Sequence, residues 1–106
     1  MSLEGAKDGS NRPVAAFKIA GTVHKIDSKD ANAETTTITD GISLLIVQAD
    51  VDSHIAIGPT PVASVSLTPI TGKVAYYFRC RGGLDKVSVV KEASASDGNL
   101  YVTEME

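Results

Sequence analysis

The chain contains no tryptophan and few aromatic residues of any kind. Its 106 residues include three Tyr and two Phe. A core without large aromatic side chains has to be built from Val, Ile, Leu and Ala, which supply most of the 42% hydrophobic residues. The scarcity of rings also argues against a sugar-binding surface made of several stacked aromatics.

Cysteine and histidine are too rare to support most metal or redox chemistry. Cys80 is the single cysteine, so no intrachain disulfide can form. It alternates in phase with the apolar residues before it, and we expect a small buried core residue. His24 and His54 are the only histidines, and two ligands do not make a zinc site, which needs three or four.

A cluster of acidic residues at 27–34 is a weak candidate for a calcium site. Asp27, Asp30 and Glu34 offer oxygen ligands. Their spacing lacks the glycine and the terminal acid of a helix–loop–helix calcium loop. We interpret them as solvated turn residues and expect neither a metal nor another cofactor.

Charge and hydropathy argue against two classes of partner. Ten Lys and Arg against thirteen Asp and Glu leave a net charge of −3, whereas nucleic-acid binding needs clustered basic residues. The longest apolar run, 42–47, is interrupted by Ser43 and is too short to span a bilayer. No basic segment followed by an apolar stretch marks a secretion signal. We therefore expect no nucleic-acid partner, no membrane partner and synthesis in the cytoplasm.

Motifs that carry catalysis are also missing. The sequence has no glycine-rich phosphate loop and no G-x-S-x-G elbow around a nucleophilic serine. Its carboxylates fall mostly in predicted turns, so no acid/base pair can be assigned. We expect a protein that is not an enzyme.

What the sequence does contain is a series of short β-type runs separated by turn residues. The runs lie at 14–26, 35–39, 43–49, 51–57, 63–67, 73–81, 86–91 and 99–104. Seven or eight such strands without a convincing helix predict an all-β fold, either an antiparallel β-sandwich or a jelly roll. A partly open β-barrel is the alternative.

Composition divides the chain into an arm and one domain. Residues 1–13 hold glycine, proline and scattered charges, which predicts a flexible N-terminal arm. Residues 1–5 (MSLEG) are typical of an expression-vector remnant. Residues 14–106 are expected to form a single β-sandwich domain.

Two predictions concern the detailed course of the strands. Gly21 interrupts the first run and indicates a β-bulge or a turn between two short strands. Residues 63–67 are predicted to form a short edge strand, with Val65 and Leu67 pointing inward.

Two runs also supply candidate interface residues. In 43–49 (SLLIVQA) the residues of both parities are apolar, which indicates a strand that is either central between two layers or covered on one face by a neighbouring subunit. We favour the neighbouring subunit, with Leu45 or Val47 on the outer face. In the run 73–81, which contains most of the aromatic residues, Tyr77, Arg79 and Arg81 point to one side of the strand, and Tyr76 and Phe78 point to the other. Because Tyr and Arg are enriched at interface hot spots, these three residues are candidate contacts.

Residues 54–105 resemble a family of small β-sandwich proteins of tailed-phage virions. The resemblance lies in HIAIG, a proline loop GPTPVAS, an aromatic strand YYFR followed by a glycine turn, a Val-rich strand KVSVV and the closing strand GNLYVTEM. It implies a structural protein of the virion, such as a capsid decoration or a head or tail accessory subunit. The implied partners are other virion proteins and further copies of the chain, for example in a trimer. The family has no catalytic residues to transfer to this chain.

A binding module for a carbohydrate or another surface ligand remains the alternative function. Sandwich folds carry such sites on loops or on one sheet face. Tyr77 and Tyr101 would then supply stacking faces, and Asp50 or Asp52 would supply polar contacts.

Overall fold

The structure is a computed structural model and is described for residues 19–106. These residues form eight β-strands and no helix. The strands are β1 (Ile19–Ser28), β2 (Ala33–Glu34), β3 (Leu44–Ala49), β4 (Ser53–Gly58), β5 (Thr68–Ile70), β6 (Ala75–Arg79), β7 (Lys86–Lys91) and β8 (Gly98–Met105). The predicted arm at 1–13 and the start of the first predicted strand lie outside the described residues.

The strands make two four-stranded antiparallel sheets. The first sheet has the order β1-β8-β3-β6 and the second has the order β2-β7-β4-β5. Strand β1 pairs with β8, β2 with β7, β3 with β6 and β4 with β5, so the chain is a long antiparallel hairpin rolled into two layers. This is the strand order of a jelly roll. The predicted all-β sandwich is confirmed.

The core lies between the two sheets and is aliphatic, as the lack of large aromatics predicts. Leu45 and Val47 on β3, Val87 and Val89 on β7, and Leu100 on β8 have no exposed surface. Each is separated by two positions from another core residue of its strand, because alternate residues of a strand face the same side. The remaining core residues are Ile38, Ile42, Ala49, Ile55, Ile70 and Val102.

The first strand contains the predicted bulge. The pairing of β1 with β8 shifts register between Ile19 and Val23, and Gly21 within this interval has a φ of 96°. A left-handed backbone of this kind is accessible to glycine at little cost, which explains the residue. The alternative of two separate short strands is wrong, since β1 runs from Ile19 to Ser28.

Residues 35–39 do not form the predicted strand. The amide of Thr35 donates to the carbonyl of Val87 in the second sheet, whereas the amide of Thr39 donates to the Glu104 carboxylate on the first sheet. The segment therefore crosses from one layer to the other. Its β-branched residues favour an extended backbone, but a crossing segment has no continuous partner strand.

Residues 59–67, which we call the strap, cross the outer side of the second sheet. The strap leaves the end of β4, and the amide of Ala63 donates to Asn32 Oδ1 beside β2. It then returns to β4, where the Leu67 carbonyl lies 3.1 Å from His54 Nδ1. The strap contains no strand, so the predicted edge strand at 63–67 is wrong.

The orientation of the strap residues is also the reverse of the prediction. Val65 and Leu67 are 56% and 42% exposed, whereas Pro61 and Ala63 are buried. The edge position instead belongs to β5, whose Pro69 pairs with His54. Proline lacks an amide donor and is suited to an edge strand.

The turn between β6 and β7 depends on a close backbone contact at Gly82. A Cβ at this position would lie 2.2 Å from the Thr39 carbonyl oxygen and 2.6 Å from that of Ile42. The Gly82 amide also donates to the Ile42 carbonyl at 2.8 Å. Only glycine fits between these two carbonyls without displacing backbone.

Candidate functional site

The outer side of the first sheet, which we call the open face, carries a row of side chains that spans all four strands. The register aligns Val23 of β1 with Thr103 of β8, Thr103 with Ile46 of β3, and Ile46 with Tyr77 of β6. The neighbouring row aligns Lys25, Tyr101, Gln48 and Ala75. The alternation of strand residues places both rows opposite the core.

The apolar members of this face are partly or largely accessible. Tyr77 is 61% exposed and Val23 is 54% exposed, while Leu44 and Ile46 are partly buried. Arg79 pairs with Leu44 and is exposed at the margin. The arrangement is an apolar strip with a cationic border, which is suited to contact with a protein surface.

The structure corrects the assignment of Leu45 and Val47 to an outer face. Both side chains are 0% exposed and belong to the core between the sheets. The outward residues of β3 are Leu44, Ile46 and Gln48. The sequence could not distinguish the two parities because both are apolar.

The predicted division of the aromatic strand is confirmed for Tyr76 and Phe78. These rings are partly buried against the core, with centroids 6.3 Å apart, and Tyr77 and Arg79 point away from it. Val74 has the same parity as Tyr76 and Phe78, which predicts a core position, but it precedes β6 and is 43% exposed, so that prediction is wrong.

Cys80 packs against the core without being fully buried. Its Sγ lies 3.6 Å from the Ile42 carbonyl, to which the thiol donates. Burial and the nearby Asp85 and Glu104 carboxylates raise the pKa of the thiol. A raised pKa disfavours the reactive thiolate, so the residue is suited to packing.

Arg81 has a structural contact that the sequence did not indicate. Its Nη2 donates to Asp85 Oδ1 at 2.9 Å, and its backbone amide donates to Asp85 Oδ2 at 2.8 Å. The hydrogen bonds from Arg81 hold the pKa of the buried Asp85 carboxyl below its ordinary value, against the effect of burial. Arg81 therefore closes the turn after β6, although its side chain remains 64% exposed.

A second candidate site is a shallow cleft of about 220 Å³ beside the strap. It is lined by Asp52, Ser53, His54, Pro69, Ile70, Thr71 and Glu92. His54 Nε2 lies 2.6 Å from Glu92 Oε1, and its Nδ1 lies 3.1 Å from the Leu67 carbonyl oxygen. The His54 side chain is 8% exposed and that of Glu92 is 41% exposed.

Both acceptors around His54 favour the protonated ring. A carboxylate and a carbonyl only accept, so both ring nitrogens have to donate to satisfy them. The Glu92 and Leu67 hydrogen bonds raise the pKa of His54 above 6.5, against the opposing effect of burial. The same ion pair lowers the pKa of Glu92. In this arrangement the ring has no free lone pair, so it cannot act as a general base without rearranging.

A second histidine–carboxylate pair lies at the inner side of the first sheet. His24 Nε2 is 2.8 Å from Glu104 Oε2, and the same oxygen accepts the Thr39 amide at 3.0 Å. Glu104 is 1% exposed. Burial raises the pKa of Glu104, but the bonds from His24 and Thr39 outweigh it and hold the pKa below its ordinary value.

The sequence revealed neither pair. The partners are separated by 80 positions in His24–Glu104 and by 38 in His54–Glu92. The pairing of β1 with β8 brings the first pair together, and that of β4 with β7 brings the second together. The alternation of β4 puts His54 on the side opposite the core residue Ile55, but nothing local in the sequence indicates that Glu92 is its partner.

The acidic residues proposed for ligand contact serve the backbone. Asp50 Oδ2 accepts the Asn99 amide at 3.2 Å, and Asp52 Oδ1 accepts the Gly72 amide at 2.8 Å. Within residues 19–106, no group of three or more His, Cys, Asp or Glu side chains is placed to hold a metal ion. The same part of the chain has no helix long and apolar enough to cross a membrane.

Comparisons with protein-family models, with curated proteins and with solved structures found no match.

Proposed function

We propose that this chain is a non-enzymatic structural protein of a tailed-phage virion, a capsid decoration or a head or tail accessory subunit. It acts through protein–protein contacts made by the open face of the first sheet. The observation that carries the proposal is the row Val23, Thr103, Ile46 and Tyr77, in which Thr103 is the one polar aliphatic side chain, with Arg79 at its margin.

The composition of this face fits an interface. Apolar patches on a soluble domain commonly mark interaction sites. Tyrosine and arginine are enriched among the residues that contribute most to protein–protein binding, and Tyr77 and Arg79 lie next to each other on this face. Ile46 lies near the centre of the sheet and is suited to become fully buried in a complex.

The fold and the sequence resemblance supply independent support. Jelly rolls are common in viral capsid domains, although a fold by itself does not determine a function. The likeness of residues 54–105 to small virion proteins includes β4, β6, β7 and β8, which form parts of both sheets. Binding of this domain to a larger lattice requires one accessible face and no active site.

Substitution of Ile46 tests the interface. An Ile46→Asp variant places a charge at the centre of the open face, and we expect loss of self-association and of binding to virion proteins. Val62→Asp is the matched control, because Val62 is 68% exposed on the strap and away from this face. Sedimentation measures assembly, and circular dichroism verifies the fold. A folded Ile46→Asp variant with wild-type assembly would contradict the proposed interface.

Mass spectrometry of purified particles tests the virion assignment. We expect the chain to be present in particles of the phage that encodes it, in a copy number set by the lattice. Absence from the particles, together with a monomer at all concentrations in light scattering, would overturn the proposal.

One observation favours a binding module for carbohydrate or another surface ligand as the second candidate. Tyr77 and Tyr101 both lie on the open face, on either side of β3. Rings in this arrangement are able to stack on a flat ligand. A glycan array with signal lost in Tyr101→Ser but retained in Val62→Ser would support this function over the structural one.

A further inference from the structure

His54 joins two segments that are distant in the sequence. Its Nδ1 donates to the Leu67 carbonyl of the strap, and its Nε2 donates to the Glu92 carboxylate after β7. The residue is 7% exposed, so these two acceptors replace water around the ring. The end of the strap is therefore held by a side chain of the sheet beneath it.

The strap covers the outer side of β7 and β4. Val90 pairs with His54 and Ser88 pairs with Ala56, and the parity of these residues is opposite to that of the core residues Val87 and Val89. Even so, Ser88 is 0% exposed and Val90 is 7% exposed. The strap passes between its contacts at Asn32 and His54, which flank β7, and so encloses this surface.

Closure of the strap has an unfavourable component. Within residues 19–106, the Ser88 hydroxyl is buried and has no hydrogen-bond partner. A buried polar group without a partner destabilises the closed state relative to one in which water reaches it. The bonds at His54 and the bond from the Ala63 amide to Asn32 offset this effect.

We propose that His54 is a proton-dependent clamp, which holds the strap closed over the second sheet when both ring nitrogens are protonated and releases it when one proton is lost. The neutral ring has one donor and cannot satisfy both the Leu67 carbonyl and the Glu92 carboxylate. The inference is independent of the proposed virion function, since it concerns the other sheet.

The charges around His54 support this direction of the pH dependence. Glu92 faces the ring from the end of β7, and Asp52 lies in the same cleft from the start of β4. The other neighbours contribute no charge: Pro69 on β5 and Val90 on β7 are uncharged, and the strap offers a carbonyl. Lys91, the basic residue that precedes Glu92 in the chain, forms an ion pair with Asp97 at 3.1 Å.

The sign follows from the raised pKa of His54. Stabilisation by the clamp is complete below the ordinary histidine pKa of 6.5 and is lost as the pH rises through the higher value of the closed state. Over that range, the equilibrium constant for opening of the strap increases by about tenfold for each unit that separates the ordinary histidine pKa from the pKa of His54 in the closed state.

Amide hydrogen exchange followed by NMR tests the clamp, with protection factors that correct for the intrinsic effect of pH. The Ala63 amide reports on the strap because it donates to Asn32, and the Val47 amide in the central strand β3 reports on global unfolding. As the pH rises from about 5, we expect Ala63 protection to fall, by about tenfold for each unit that separates the two pKa values, while Val47 protection changes less.

Three variants make the result specific. His54→Gln should lower Ala63 protection at low pH to about the level that the wild type shows at high pH, and should abolish its pH dependence. Glu92→Gln keeps an acceptor without the charge and should move the transition to lower pH. His24→Gln is the matched control, because this histidine is bound to Glu104 in the first sheet, and it should retain the transition. The proposal would be overturned if Ala63 protection in the wild type did not change with pH, or if Ala63 and Val47 lost protection in parallel. A pH transition that persists in His54→Gln would overturn it as well.

Discussion

The outer faces of the two sheets differ although the sheets have the same number of strands. On the first sheet Val23 and Tyr77 are more than half exposed, whereas on the second sheet Ser88 and Val90 are buried beneath the strap. Among residues 19–106, the strap thus covers one outer face, while the other carries exposed side chains. The comparison indicates that a partner has direct access to the first sheet, while access to the second requires movement of the strap.

The two histidine–carboxylate pairs also differ in their burial and in the elements that they join. His24–Glu104 lies at the inner side of the first sheet, where Glu104 is 1% exposed and also binds the Thr39 amide. His54–Glu92 lies at the surface of the second sheet, and Glu92 is 41% exposed. The first pair joins elements of the core, whereas the second joins a loop to the sheet. We therefore expect a global effect from breaking the first and a local effect from breaking the second.

The largest effect is expected from Leu45, which lies on β3 and packs in the core between the two sheets. Leu45→Ala removes a fully buried side chain from the core and should lower the free energy of unfolding by about 2–5 kcal/mol. Ile46→Ala, one position along on the open face, should lower it by about 1 kcal/mol or less. Urea denaturation measures both values. Equal losses in the two variants would show that the open face contributes to the fold as much as the core does.

An intermediate effect is expected at Glu104. Glu104→Gln removes the charge that His24 and the Thr39 amide bind, and should cost about 1.5–3 kcal/mol near neutral pH. Because the pKa of Glu104 is lowered in the fold, its contribution is present above the ordinary value of 4.5 and is lost as the pH falls below it.

The difference in the free energy of unfolding between wild type and Glu104→Gln should therefore be smaller at about pH 3 than at about pH 7, as denaturation at the two pH values would measure. The matched control is Glu92→Gln, whose partly exposed pair should have a smaller effect on global stability. A difference for Glu104→Gln that is the same at both pH values would exclude ionisation of this carboxylate as the cause.

The smallest effects on stability are expected from the exposed apolar residues of the two faces. Tyr77→Ser on the open face and Val62→Ser on the strap should each change the free energy of unfolding by no more than about 0.5 kcal/mol. The two variants should differ in association, which sedimentation would show to be weaker for Tyr77→Ser alone. Equal weakening in both variants would mean that the strap belongs to the interface as well.

Most of the strands followed from local patterns. Turn residues such as Asp40-Gly41 and Gly58-Pro59 separate β-branched and apolar runs. Alternation along 86–91 puts Val87 and Val89 on the same side of the strand, and that side is the core. The patterns were wrong at residues 35–39 and at the strap. In both places the backbone leaves the sheets to reach another layer, and its hydrogen-bond partners lie far away in the sequence.

The candidate sites were less predictable than the fold. Strand parity separated Tyr77 and Arg79 from Tyr76 and Phe78, and both residues point away from the core as that parity requires; their role as contacts stays a prediction. Leu45 and Val47 were misplaced because β3 is apolar on both sides, so only the packing of the second sheet decides which side is the core.

The sequence by itself determined an all-β chain with an aliphatic core, because alternation and turn chemistry are local properties. Tertiary structure alone decided which side of β3 faces outward, that Glu92 meets His54, and that residues 59–67 cover the second sheet. Each of these depends on contacts between positions far apart in the chain, and a contact of that kind exists only once the hairpin has rolled into two layers.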